Sequence, residues 1–276
     1  MSVYEVIALR YATHERPASA NLLYAPPDGD PHDAPMPIDY FVWVIRDDAR
    51  VIVVDTGFDW PACEAYGRTM VRHPLEGLRT LGVDPAAVQD VIITHLHYDH
   101  AGNLPAFPNA TFHLQDAEMA YATGRCMCHA RLRGAFSVED VCTMVRRVYE
   151  GRVAFVDGSA EIAPGVTVHA VPGHTRGLQC VRVETARGPV VLASDAAHFY
   201  ANLAQQNPFP IVVDIGAMME SWKELARLAG DPERIVPGHD PLVMARYPPH
   251  PSVEVEAVLL HLPPREPARV DDDRHF

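Results

Sequence analysis

Residues 95–100 read His-Leu-His-Tyr-Asp-His, four potential metal ligands within six positions. They follow an apolar run at 91–94 that predicts a strand. On a helix, His95, His97 and His100 would fan out at about 100° per residue and could not converge. At a strand end turning into a loop they can. His95 and His97 project to one side, and Asp99 and His100 follow in a turn tightened by Ala101-Gly102. Imidazole and carboxylate suit zinc, iron, cobalt or manganese. Three further segments share a grammar of apolar strand, turn and ligand. Residues 168–171 precede Pro172-Gly173-His174-Thr175, residues 190–193 precede Ser194-Asp195, and residues 235–236 precede Pro237-Gly238-His239-Asp240. They add two His and one Asp at strand ends, where parallel or mixed sheets gather ligands.

Positioning these residues takes a scaffold of short strands. Apolar runs at 3–9, 40–45, 51–54, 91–94, 111–114, 153–156, 166–171, 180–184 and 190–193 predict them. Helices are expected at 61–81 (one helix, ended by Gly82), after Asp84-Pro85, at 116–122, at 138–149 with Ser137 as cap, and at 216–229 ended by Gly230. The pattern is mixed α/β. Residues 116–150 interrupt the strands and are expected to form an inserted helical cap. Residues 1–262 make one domain, and the proline-rich, charged stretch 263–276 is expected to be poorly ordered.

The chain has 276 residues and a formal charge of −13, so its surface repels phosphate backbones and anionic membranes. No apolar run approaches the ~20 residues of a membrane span, and the first residues lack a signal-peptide pattern. A cytoplasmic location is expected. The five cysteines are an odd number without framework spacing.

Over residues 40–245 the sequence resembles the metallo-β-lactamase superfamily, and Val54-Asp55-Thr56-Gly57 resembles its early strand-end motif. The resemblance implies a four-layered αβ/βα sandwich with metals at one edge. It implies a first metal site of His95, His97 and His174, a second of Asp99, His100 and His239, and Asp195 bridging both. Asp55 would support the ligands without binding. Two divalent ions, zinc foremost with iron, cobalt and manganese as alternatives, would lie ~3.5–4 Å apart.

Within the superfamily, the motif looks most like the N-acyl homoserine lactonases, so a small-molecule lactone is the expected substrate. The resemblance assigns Asp99 to relay a proton to the leaving group. Members of that group carry a Tyr three residues after the bridging Asp. Here His198 stands there with Tyr200 beyond it, so either could polarise the carbonyl. Tyr98 and Phe107 flank the motif as substrate contacts. Met119, Met144, Met218 and Met219 read either as an apolar wall or as core. Other lactones or esters, including pyridoxolactone-like or aryl lactones, are alternatives, as is a glyoxalase II-like thioesterase. A mononuclear iron persulfide dioxygenase is the alternative from another class. Base rate and resemblance point to a homodimer, with neither nucleic acid nor membrane as partner. His73, His113, His129 and His169 lack the turn grammar and read as structural. His14, His32, His250, His261 and His275 read as surface residues. Cys126-Met127-Cys128-His129 lacks a partner pair for a metal. The arginines at 125, 131, 133, 146, 147 and 152 read as a solvated face. The loop at 26–31 is expected to border the site or a second subunit.

Overall fold

The computed structural model describes residues 3–24 and 33–265. The loop expected at 26–31, His32, His275 and positions 266–276 of the expected tail lie outside the described residues. Strands β1 (Glu5–His14), β2 (Ile38–Arg46), β3 (Val51–Val54), β4 (Thr69–Met70), β5 (Asp90–Ile92), β6 (Thr111–Gln115), β7 (Val153–Val156) and β13 (Ala257–Leu259) share one sheet. Its order is β13-β1-β2-β3-β5-β6-β7, with β4 paired to β1. Strands β8 (Ser159–Ala163), β9 (Val166–Ala170), β10 (Gln179–Thr185), β11 (Gly188–Ser194) and β12 (Ile235–Pro237) form the second sheet, in the order β12-β11-β10-β9-β8.

Alternation along these strands builds three cores. Val6 and Ala8 of β1, Phe41, Trp43 and Ile45 of β2, and Val190 and Leu192 of β11 point between the sheets. Ile7, Leu9, Val42 and Val44 point the other way, onto Leu78 of α2 (Pro74–Thr80) and Val141 and Met144 of α5 (Val138–Tyr149). Val191 and Ala193 point outward onto Met218, Trp222 and Leu225 of α7 (Ile215–Ala229). The layers are therefore α, β, β, α, the expected sandwich. All four methionines in question pack in or against these cores.

Several expectations are corrected. Residues 61–81 are two helices, α1 (Trp60–Ala65) and α2, separated by β4. Gly67 turns with φ +63°, and Thr69 and Met70 pair with Thr13 and Ala12 of β1. Pro74 lacks an N–H, so it starts α2 instead of continuing α1. Strands β8 and β13 and helices α4 (Ala130–Arg133), α6 (Tyr200–Gln205) and α8 (Leu242–Arg246) were not expected. His14 is half-buried at the end of β1 rather than on the surface. Residues 116–150 hold α3 (Asp116–Ala122), α4 and α5, and they connect the parallel strands β6 and β7. No helix among the described residues is long and apolar enough to cross a membrane.

Trp43 is 0% exposed between the sheets, so Trp43→Ala should lower the unfolding free energy by about 3–5 kcal/mol. Ser137 caps α5 by accepting from Asp140 N–H, and Ser137→Ala should cost only about 1 kcal/mol. Urea denaturation followed by circular dichroism checks both.

Candidate metal centre

Strands β3 and β5 run parallel in one sheet, β11 and β12 in the other. Their carboxyl ends meet at one edge. Asp55 follows β3 in left-handed backbone, φ +60°, and its fully buried carboxylate accepts three hydrogen bonds. Thr94 N–H donates to Oδ1 at 2.7 Å, and Thr94 Oγ1 and His100 Nδ1 donate to Oδ2 at 2.8 and 2.7 Å. The β5 ladder therefore stops at Ile92, because the Thr94 amide is committed to Asp55. Ser194, also left-handed at φ +47°, ends β11 and donates from its hydroxyl to Thr94 Oγ1 at 2.9 Å. This bond ties the two sheets together. Two close approaches require glycine. A Cβ on Gly102 would lie 2.6 Å from the Gly57 carbonyl, and one on Gly238 2.7 Å from that of Ser194.

The expected ligands converge on this edge. His95 Nε2, His97 Nδ1 and His174 Nε2 form a triangle with sides of 3.0, 2.9 and 3.2 Å. Asp99, His100 and His239 form a second group, and Asp195 lies close to His95 and His100. Asp195 Oδ1 is 3.3 Å from His100 Nε2 and 3.1 Å from His239 Nε2, while Oδ2 is 3.3 Å from His174 Nε2. His198 joins His174 and Asp195, its Nε2 2.9 Å from Asp195 Oδ2. Its ring stacks on Phe209 with centroids 3.5 Å apart.

These donors fit a divalent cation. His174 Nδ1 donates to the Ile211 carbonyl, so its Nε2 is a bare lone pair. His239 Nδ1 donates likewise to the Asp39 carbonyl. The Thr94 hydroxyl spends its proton on Asp55, so His95 Nδ1 donates to it and His95 Nε2 is also bare. Bare nitrogens 3.2 Å apart in a dry site repel unless a cation lies between them. Ligands at 2.0–2.1 Å around one tetrahedral zinc lie ~3.3 Å from each other, close to this spacing. His100 Nε2 and Asp195 Oδ1, both buried, have no hydrogen-bond partner although they face each other.

Electrostatics agree. Burial, aided by neighbouring imidazoles, holds His95 and His97 far below the ordinary histidine range. Burial also lowers His174, and pushes His198 down to about 3. These rings are neutral, as metal binding requires. At His100 burial is outweighed by Asp195, Asp99 and Asp55, and at His239 by Asp195, so both are raised. Burial would raise Asp195, but His239, His100 and His198 hold it well below the usual carboxylate range.

Not every expected residue is here. Phe107 is 0% exposed, turned into the core by the 3-10 turn Leu104–Ala106, and cannot touch a substrate. Tyr200 packs against the inter-sheet core with the Arg246 guanidinium 4.3 Å over its ring, away from the histidines. Tyr98 lies between Phe58 and Tyr66, its ring 3.7 Å from that of Tyr66, and its hydroxyl accepts from Arg68. The sequence reading overlooked Glu118. This buried carboxylate on α3 accepts from Leu96 N–H, Thr175 Oγ1 and Gly177 N–H at 2.9, 2.6 and 3.1 Å. It pins the loop of His95 and His97 to the loop of His174. An acid on a helix with no turn signal beside it reads as a solvated residue, so only the packing identifies it.

A family model described as the metallo-beta-lactamase superfamily matches residues 37–239. An N-acyl homoserine lactonase of a Bacillus species is 32% identical over 133 residues, 48% of this chain and 48% of that protein. The match thus spans about half the length of that relative. The N-acyl homoserine lactonase AttM of Azorhizobium caulinodans is 30% identical over 187 residues, 65% of this chain and 69% of that one. A crystal structure of a quorum-quenching N-acyl homoserine lactone lactonase superposes with a TM-score of 0.72 at 23% identity, covering 88% of this chain and 94% of that chain.

Asp55 supports His100 directly and His95 through Thr94. Asp55→Ala should therefore lower zinc affinity about 10–100-fold while leaving every expected ligand in place. Competition with a chromophoric chelator measures this.

Proposed function

The chain belongs to the metallo-beta-lactamase superfamily, and from that premise we propose that it is a dinuclear metal-dependent hydrolase that opens lactones, N-acyl homoserine lactones first among them. The observation that carries this reading is the convergence of every expected ligand at the edge where the two sheets meet. The matching relatives named as N-acyl homoserine lactonases favour a lactone over a thioester.

His95, His97 and His174 would hold one ion, Asp99, His100 and His239 the other, and Asp195 would lie between. When bound, such ions supply hydroxide near neutral pH and polarise a carbonyl. Ring opening adds that hydroxide to the acyl carbon, breaks the acyl–oxygen bond and leaves a carboxylate and an alcohol. The ring oxygen needs a proton as it leaves. Asp99 is placed to carry it. Its Oδ2 is 3.6 Å from His100 Nε2 and 3.8 Å from His239 Nε2, and it is the most exposed of the seven expected ligands. The Tyr11 hydroxyl donates to the Asp99 carbonyl at 2.8 Å and fixes the loop.

Of the two residues weighed as carbonyl polarisers, the geometry favours His198. Its neutral ring carries its one proton on Nε2, 2.9 Å from Asp195 Oδ2, and the flat stack on Phe209 fixes its plane. That Nε2–H would be the donor offered to a carbonyl once Asp195 serves the ions. Loss of a preorganised oxyanion donor costs about 10²–10³-fold in kcat. His198→Ala should show a loss of that size with metal content retained, and Tyr200→Phe a change under about threefold. A larger effect at Tyr200 than at His198 would reverse the assignment.

The deciding experiment is proton release by the zinc-loaded protein, with and without chelator. The panel holds short- and long-chain N-acyl homoserine lactones, alkyl lactones and an aryl lactone. Chelator-sensitive turnover of the acyl homoserine lactones is expected. Alanine at His97 or Asp195 should abolish both metal loading and turnover. Turnover confined to other lactones would keep the mechanism and change the substrate.

A further inference from the structure

Beside the metal centre lies a cationic cluster that its chemistry does not use. Arg68 Nε donates to the Tyr98 hydroxyl at 2.9 Å, and its guanidinium sits 5.9 Å over the Tyr40 ring and 6.0 Å over the Tyr98 ring. Tyr40 in turn packs edge-on against His239, with centroids 5.2 Å apart. Tyr98 directly precedes Asp99. Arg68 is thus one aromatic ring away from two expected ligands of the second metal. Arg16 is half-buried nearby and donates from Nη2 to the Ala20 carbonyl at 2.7 Å. Thr13 of β1 pairs with Thr69 of β4, which sets Arg68 beside His14 and the end of β1 that leads to Arg16.

The chain carries 36 acidic residues against 23 basic ones. Yet neither Arg16 nor Arg68 belongs to an ion pair among the described residues, while arginines elsewhere do. Partly desolvating two guanidiniums without a counter-charge is unfavourable. Among the described residues the Tyr40 and Tyr98 rings, the Tyr98 hydroxyl and the charge of Asp99 partly offset this at Arg68, and no carboxylate pairs with its guanidinium directly, which leaves room for an anionic ligand. Among the described residues Arg68 spends only Nε in a hydrogen bond, which leaves its two Nη groups as the fork that grips a carboxylate from two points. It also forms part of the wall of a surface groove of about 610 Å³, so a solute can reach it. Glu64, on the same wall, is exposed and makes no ion pair with it.

Resting on the lactonase reading, we propose that the substrate is a lactone bearing a free carboxylate, and that Arg68, backed by Arg16, binds that carboxylate while the ring lies at the metals. Arg68 then sets specificity through charge, so that among lactones of one ring and chain length, acyl homoserine lactones included, the member bearing a free carboxylate is turned over best.

The test compares one lactone carrying a side-chain carboxylate with its methyl ester, on zinc-loaded protein. The acid should exceed the ester in kcat/KM by about thirtyfold or more, the lower end for a buried charge pair. Added salt should shrink the preference. Arg68→Gln should bring the ratio close to one, and Arg16→Gln should reduce it partly, with the melting temperature reporting on folding in each. A wild-type protein that favours the ester, or an R68Q variant that keeps the ratio, would overturn the proposal. Calorimetric binding of the ring-opened dicarboxylate gives a readout independent of turnover. If no lactone is hydrolysed but the dicarboxylate binds at least tenfold better to wild type than to R68Q, the lactonase reading falls and the carboxylate site stands. Binding indifferent to Arg68 removes the site.

Discussion

A carboxylate with no access to water holds this molecule's working edge together. Asp55 accepts from a backbone amide, a hydroxyl and an imidazole, and each bond constrains a different segment. The amide ends β5, the hydroxyl orients His95, and the imidazole fixes which nitrogen of His100 faces the centre. A buried carboxylate left short of donors is costly, so these partners are effectively obligatory. Burial raises the Asp55 carboxyl and the His100 charge counters it. The left-handed backbone at Asp55 and Ser194 is strain of the kind that persists only where surrounding bonds over-determine it.

Glu118 plays the corresponding part on the opposite side. Asp55 links β3 to the motif after β5, and Glu118 links that motif to the turn bearing His174. Two buried acids thus orient the imidazoles without touching the nitrogens that face the centre. The protein separates the groups that would bind a metal from the groups that aim them.

The ligand set was legible in the sequence because its residues cluster at short spacing behind recognisable strands, and because turns beside them carry glycine. Asp55 was legible only through the resemblance of Val54-Asp55-Thr56-Gly57 to the superfamily's early strand-end motif. The scaffold was less so. Positions 61–81 carry their breakers, Gly67 and Pro74, inside a run otherwise fit for a helix, and the strand between them shows only in the pairing of Thr69 and Met70 with β1 across more than fifty positions. That Phe107 turns into the core and Tyr200 packs against the inter-sheet core was not legible, because proximity in sequence does not say which way a side chain turns. Phe107 follows a 3-10 turn that buries it, and Tyr200 opens a helix that carries it to the inter-sheet core. Glu118 and Arg68 owe their roles to neighbours distant in sequence, which no local pattern contains.

The contact between Asp39 and His239 has a bearing on time. The Asp39 amide donates to the His239 carbonyl at 2.9 Å, and His239 Nδ1 returns a bond to the Asp39 carbonyl at 2.8 Å, across 200 positions. At a synthesis rate of about 5–20 residues per second, that interval lasts roughly 10–40 s. For the roughly 7–28 s of it that follow residue 100, the first histidine cluster is made but has no completed edge to join. Closing a loop of this length makes the arrival of β12 a late event. The nascent chain therefore carries a half-assembled set of imidazole and carboxylate groups in the open until β12 finds β11.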